Sequence, residues 1–257
     1  MVWFSIPRSV EFRRLTQLFR NSMLGAAMKL FAISDLHLSL GGEKPMDIFG
    51  PEWANHADKV RRNWDTNVGP DDVVLLPGDH SWALKLEDAA PDLEYLARRP
   101  GTKILIRGNH DYWWHRQGTN KLRKMVGQSI VLLHRNSVTF GSVGIAGTRG
   151  WRLEEAAEDG EGASDGHILA RELTYLRESL DQIADAEIKI AMLHYPPFSV
   201  DLEPTEFAGV LREYGVNILV YGHVHSGGWL EGKVEGIEYH LVAADRLGFA
   251  PKLIHST

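Results

Sequence analysis

Five short segments of this sequence carry side chains that ligate metals. They are Asp35-Leu36-His37, Gly78-Asp79-His80, Gly108-Asn109-His110-Asp111, the lone His194, and Gly222-His223-Val224-His225. Asp35/His37 and His223/His225 are each two positions apart. In extended chain such residues point to the same side, so each pair can grip a shared metal site. Gly78, Gly108 and Gly222 let the backbone turn sharply and leave room beside an ion. The chain contains no cysteine. That excludes thiolate zinc sites, iron–sulfur clusters, disulfides and cysteine nucleophiles together. A metal must then be held by His, Asp, Glu or Asn, and such a donor set suits Mn, Fe, Co, Ni or Zn.

The elements that must position these residues are short apolar runs ended by Gly, Asp or Pro. Residues 30–34, 73–76, 103–106, 188–193 and 218–221 read as strands, and each runs into one of the five segments. Residues 130–133, 138–146 and 237–243 read as further strands. Several are apolar on both alternations, as expected of strands covered on both faces. Helical patterns lie between them, over 54–67, 86–97, 116–126, 164–184 and 205–214. The alternation predicts an α/β layered fold in a single domain, residues 28–257. Ligands in such folds gather at the carboxyl ends of strands, where all five segments fall.

Residues 1–27 differ from the rest. They hold Arg8, Arg13, Arg14 and Arg20 against the single acid Glu11. They read as an extension outside the fold, with Met28 as an alternative start, or as a short basic amphipathic helix over 10–19. The acidic, glycine-containing stretch 154–166 reads as a mobile surface loop.

The 257 residues are 44% hydrophobic and 24% charged, a globular composition that excludes a disordered chain or a heptad rod. Lys and Arg total 28 against 34 for Asp and Glu, a net charge of −6. That balance disfavours long nucleic acids, which call for a basic face. No apolar run is long enough to span a membrane. The expectation is a cytoplasmic protein with a small substrate.

The five segments, in this order, resemble the calcineurin-like metallophosphoesterases, whose pattern is D-x-H, G-D, G-N-H-[DE], H and G-H-x-H. The resemblance covers residues 28 to about 250. It implies a four-layer sandwich of two mixed β-sheets flanked by helices, and two divalent ions, with Mn the choice for assay. It implies that Asp35, His37 and His225 hold the first ion, that Asn109, His194 and His223 hold the second, and that Asp79 bridges both. Two ions held this way leave a small net positive charge, an anion trap suited to phosphate. The reaction expected is hydrolysis of a small phosphomonoester or phosphodiester by a metal-bridging hydroxide, with His110 protonating the leaving oxygen. Asp111 either orients His110 or faces a helix start. A nuclease of the same superfamily and a non-catalytic scaffold are the alternatives.

One departure stands out. Many relatives place a further Asp three residues after the bridging Asp, and here that position is Trp82. His80 reads either as a phosphate contact or as a packed histidine. Arg149 reads as a clamp on substrate phosphate, as a surface arginine, or as an ion pair with the acidic loop. Trp82, Trp113, Trp114 and Trp229 read either as core behind the site or as an aromatic rim. Histidines 56, 115, 134, 167, 240 and 255 have no motif around them and read as surface or satisfied core.

Overall fold

The structure is a computed structural model, and it describes residues 27–42, 44–115, 119–123, 125–152 and 165–257. The basic segment 1–26 and most of the acidic loop therefore lie outside the described residues.

Eleven strands build two sheets. They are β1 (Lys29–Ala32), β2 (Val73–Pro77), β3 (Thr102–Ile106), β4 (Ile130–Leu132), β5 (Val138–Phe140), β6 (Val143–Thr148), β7 (Ile188–Leu193), β8 (Ile218–Tyr221), β9 (Gly232–Val234), β10 (Ile237–Leu241) and β11 (Lys252–Ser256). The five-stranded sheet has the order β11-β1-β2-β3-β4, and the six-stranded sheet β5-β6-β7-β8-β10-β9. β1, β2, β3 and β4 run parallel, as do β6, β7, β8 and β10. β11, β5 and β9 add antiparallel edges. Both sheets are therefore mixed.

The alternation along each strand explains the layers. Leu30 and Ala32 of β1, Val73 and Leu75 of β2, Ile190 and Met192 of β7, and Ile218 and Val220 of β8 pack into one cluster between the sheets. Their neighbours face outward. Phe31, Val74, Leu76 and Leu105 pack under α1 (His56–Asn67) and α2 (Leu86–Ala97), against Val60, Trp64 and Leu93. Ala191, Leu193, Leu219 and Tyr221 pack under α5 (Asp165–Asp181) and α6 (Glu206–Glu213), against Leu176, Leu180 and Phe207. Helix, sheet, sheet and helix make four layers, as the resemblance implies. Two short helices, α3 (Tyr112–His115) and α4 (Thr119–Leu122), complete the described elements with two 3-10 turns at Asp47–Phe49 and Pro51–Trp53.

Three expectations need correction. Residues 138–146 are two antiparallel strands rather than one, because the chain reverses at Gly141-Ser142, where Gly141 takes φ 59°. Of the expected helix over 116–126, residues Thr119–Leu122 form α4, and residues 116–118 and 124 lie outside the described residues. β9 and β11 escaped the sequence reading; β9 is a short edge strand, and β11 sets the adjacent Leu253 and Ile254 among Lys, His and Ser, without alternation, beside β1.

Lys103, the second residue of β3, has a buried side chain. Its Nζ donates to the carbonyl oxygens of Arg99 and Gly101 at 2.7 and 2.8 Å, just past the end of α2. Burial, helped by the nearby Arg99 charge, pulls its ammonium down to about 8. Lys103→Met keeps the volume but leaves those carbonyls without a donor. It should lower the unfolding free energy by roughly 1–3 kcal/mol, read by urea denaturation.

Candidate metal centre

All five segments follow parallel strands: β1, β2 and β3 in one sheet, β7 and β8 in the other. The loops after β1 and β2 continue the pairing of their strands. The N–H groups of Asp35, His37 and Leu38 donate to the carbonyls of Gly78, Asp79 and His80 at 3.0–3.1 Å. Asp35, His37, Asp79 and His223 all take positive φ, between 44° and 71°. Non-glycine residues rarely adopt this conformation, and it persists only where surrounding contacts hold it. The two-residue spacing therefore works through left-handed backbone at Asp35 and His37, not through the extended chain expected.

The side chains converge. Asp35, His37 and His225 place ligand atoms within 4.8 Å of one another, and so do Asp35, Asp79 and His194. The Asp79 Oδ2 lies 3.8 Å from His37 Nε2 and 3.5 Å from His194 Nε2, between the two sides. The His223/His225 pair splits: His225 Nε2 is 3.7 Å from Asp35 Oδ1, whereas the His223 ring centroid is 5.0 Å from that of His194.

The hydrogen bonds around these groups fix which atoms face inward. His194 Nδ1 lies 2.9 Å from the Pro77 carbonyl oxygen, which can only accept, so the ring proton sits on Nδ1. His194 Nε2 then presents a lone pair, 2.6 Å from Asn109 Oδ1, another acceptor. Two acceptors this close with no proton between them form a seat for a cation. Burial, with the neighbouring His223 second, pulls the His194 imidazole well below its ordinary range and keeps it neutral, as a metal ligand must be. Burial acts the same way on His37, followed by His225. Asp35 accepts from Ser34 Oγ at 2.5 Å and from the His223 N–H at 3.0 Å. Burial pushes its carboxyl up despite the opposing effect of His225. Imidazole and carboxylate oxygen ligands of this kind fit divalent transition metals.

Two glycines are required by space. A Cβ on Gly108 would stand 2.0 Å from Asp79 Oδ1, and one on Gly222 would stand 2.4 Å from Asp35 Oδ2.

The sequence profile of the calcineurin-like phosphoesterases matches residues 28–227. The chain belongs to that family. Its fold is similar to the crystal structure of phosphopantetheinyl hydrolase (PptH) from Mycobacterium tuberculosis, at TM-score 0.54 and 16% identity, with 90% of this chain and 97% of that one covered. It is similar too to TT1561 of Thermus thermophilus, at TM-score 0.54 and 14% identity, with 90% and 99% covered. Among curated proteins, the Gene 66 protein of Mycobacterium phage L5 is 36% identical over 80 residues. That match spans 30% of this chain and 37% of the phage protein. Members of this family act on phosphorylated substrates and typically bind divalent metals. Among the described residues no helix is long and apolar enough to cross a membrane.

Several expected site residues sit differently from the sequence expectation. Asp111 does not reach toward His110. Its buried carboxylate accepts five N–H donors: the backbones of Asp79, His80, Ser81 and Gly108 and the indole of Trp113, at 2.8–3.3 Å. It is a positioning residue. His80 has no accessible surface, and its Nε2 lies 2.9 Å from the Ile106 carbonyl, so it cannot touch phosphate directly. Arg149 is buried rather than on the surface, and the acidic loop of its alternative ion pair lies largely outside the described residues. Trp113 and Trp114 are core. Trp82 instead lies stacked on His37 at 4.7 Å and against His110 at 4.4 Å, so it walls the site. Trp229 is exposed and carries Arg246 over its ring. The His115 side chain lies outside the described residues.

Asp245 was missed. Its Oδ1 lies 3.0 Å from His225 Nδ1 and leaves Nε2 to face Asp35. Burial opposes the charge on His225, but the Asp245 bond and the Asp35 carboxylate outweigh it and raise the imidazole. A carboxylate behind a histidine of this kind orients metal ligands in general. The residue stands in Ala244-Asp245-Arg246, with no motif to mark it.

Asp111→Asn turns an amide N–H toward donors that need an acceptor. The variant should lose roughly 2–4 kcal/mol of stability and bind Mn²⁺ more weakly than wild type, read by thermal unfolding and by metal analysis after dialysis. Asp245→Asn should keep stability within about 1 kcal/mol of wild type and weaken metal binding by roughly 10–100-fold.

Proposed function

We propose that the protein is a dinuclear metal-dependent phosphoesterase acting on a small phosphorylated molecule. The observation that carries this reading is the pair of facing acceptors, His194 Nε2 and Asn109 Oδ1, beside an Asp79 carboxylate shared by two groups of histidines. Asp35, His37 and His225 would hold one divalent ion, and Asn109, His194 and His223 the other. Asp79 would bridge them, because Oδ2 faces both sides while Oδ1 is occupied by the His110 N–H at 2.9 Å. Paired ions in such a site supply positive charge to a phosphoryl group and increase the acidity of water.

The chain's own residues do the rest. His110 sits at the rim, its ring 5.5 Å from that of His37 and braced by Trp82 and Tyr112. From there it hands a proton to the leaving oxygen. Asp111 fixes the loop that carries Asn109 and His110. Trp53, 6.1 Å from His225 and 6.0 Å from His37, adds an apolar wall beside those two histidines. That wall keeps bulk water from one flank of the site.

The test uses protein stripped of metal and reloaded with Mn²⁺, assayed on nitrophenyl phosphate and bis-nitrophenyl phosphate. Turnover should require metal, and Asp79→Asn should abolish it together with most bound Mn²⁺. His110→Ala should keep both ions and lose roughly 10²–10⁴ in kcat on an alkyl ester, with a smaller loss on nitrophenol esters. A His110→Ala variant fully active on the alkyl ester would reject the acid role. Metal-loaded protein without turnover on either ester would count against the hydrolase reading.

A further inference from the structure

A second cavity, of about 740 Å³, lies beside the metal centre, and none of the candidate metal ligands lines it. Among the described residues six cationic side chains do, Arg107, Lys121, Arg123, Arg135, Arg149 and Arg171, against one carboxylate, Glu172. In a chain of net charge −6 this is a local reversal of sign. Its volume is that of a cleft for a nucleotide-sized ligand.

Several of these cations are held by the protein itself. Arg123 donates to the Leu132 carbonyl and to the side-chain oxygens of Asn120 and Asn136. Arg135 makes a two-pronged pair with Glu178 at 2.6 and 2.9 Å. Arg171 lies 3.3 Å from Glu172, which also accepts from Thr148 Oγ1. Arg149 is different. It is only 6% exposed, yet among the described residues its Nε and Nη2 have no hydrogen-bond partner. Its guanidinium lies 4.5 Å over the Trp151 ring, which fixes its plane. Unmet donors on a buried cation are costly, and an oxyanion satisfies them with charge-assisted bonds.

The cavity is tied to the metal centre through the backbone. The Arg149 carbonyl accepts the N–H groups of His194 and Tyr195 at 3.0 and 2.9 Å. Arg107 directly precedes Gly108-Asn109. We propose that this cavity receives a phosphate group of the substrate other than the one hydrolysed, with Arg149 as its buried anchor. The substrate class is then a small molecule carrying at least two phosphate groups. This inference rests on the phosphoesterase reading for the reacting group, but occupancy of the cavity is measurable without it.

The first arm titrates metal-stripped full-length protein with tripolyphosphate and with orthophosphate by calorimetry. Tripolyphosphate should bind the tighter, and Arg149→Met should weaken it roughly tenfold or more. Arg171→Gln should weaken it as well; that side chain is 45% exposed, so its loss does not threaten the fold. Unfolding curves confirm that both variants are native. Absence of tripolyphosphate binding to wild type, or equal binding to folded Arg149→Met, overturns the proposal. The second arm compares Mn²⁺-loaded enzyme on thymidine 5′-nitrophenyl phosphate with and without a 3′-phosphate. The 3′-phosphate should lower KM roughly tenfold, and Arg149→Met should erase that advantage. Equal KM values with tripolyphosphate still bound would overturn the substrate assignment and leave a separate anion site. If neither ester turns over, hydrolysis of this diester fails while the phosphoesterase reading stands or falls on the nitrophenyl phosphates, and the calorimetry alone decides the cavity.

Discussion

Asp111 gathers the backbone N–H groups of Asp79, His80, Ser81 and Gly108 onto one buried carboxylate, and the Trp113 indole closes the set. These donors come from the loops after β2 and β3. With both loops bound to a single charge, the carboxyl ends of two neighbouring strands are held at fixed separation. The consequence reaches the next shell at once. Asp79 turns one oxygen to the His110 N–H and leaves the other facing His37 and His194. Gly108 must be a glycine because Asp79 fills the space its side chain would need.

The same arrangement explains the backbone strain. Four of the residues that line the centre adopt left-handed conformations. For side chains of these types each such conformation costs about 1 kcal/mol or more. Strain of this kind persists because the loops after β1 and β2 are zipped to each other, because Asp35 accepts the His223 N–H, and because Asp111 holds the second strand end. The stiff core between the sheets, built from Leu30, Leu75, Ile190 and Val220, provides the platform on which these loops rest. A site assembled from both sheets needs such a platform, since a slip of either sheet would separate His194 from Asn109.

Much of this was legible in the sequence. The five ligand-bearing segments follow apolar strands, and buried parallel strands announce themselves as continuous apolar runs. An α/β layered fold followed from the alternation of strands and helices, and the four-layer arrangement from the family resemblance. What escaped has a physical cause in each case. β9 is a short edge strand without a covered face. Asp245 acts through a ring nitrogen of His225, and a lone carboxylate after a strand has no pattern to distinguish it. Asp111 was visible as a residue but not in its role, because acceptance of backbone N–H groups depends on tertiary approach of two loops about 30 residues apart in sequence. Arg149 was visible as a candidate too, but its burial, with the guanidinium over the Trp151 ring, is a property of the fold rather than of its neighbours in sequence.

The central claim is that Asp79 joins two metal positions into one centre. Electron paramagnetic resonance of the metal-stripped protein, titrated with Mn²⁺, tests it most directly. The account predicts that two equivalents bind and that the second converts an isolated Mn²⁺ signal into the multiline spectrum of a spin-coupled pair. A single uncoupled ion at saturation, or two ions without coupling, would contradict it.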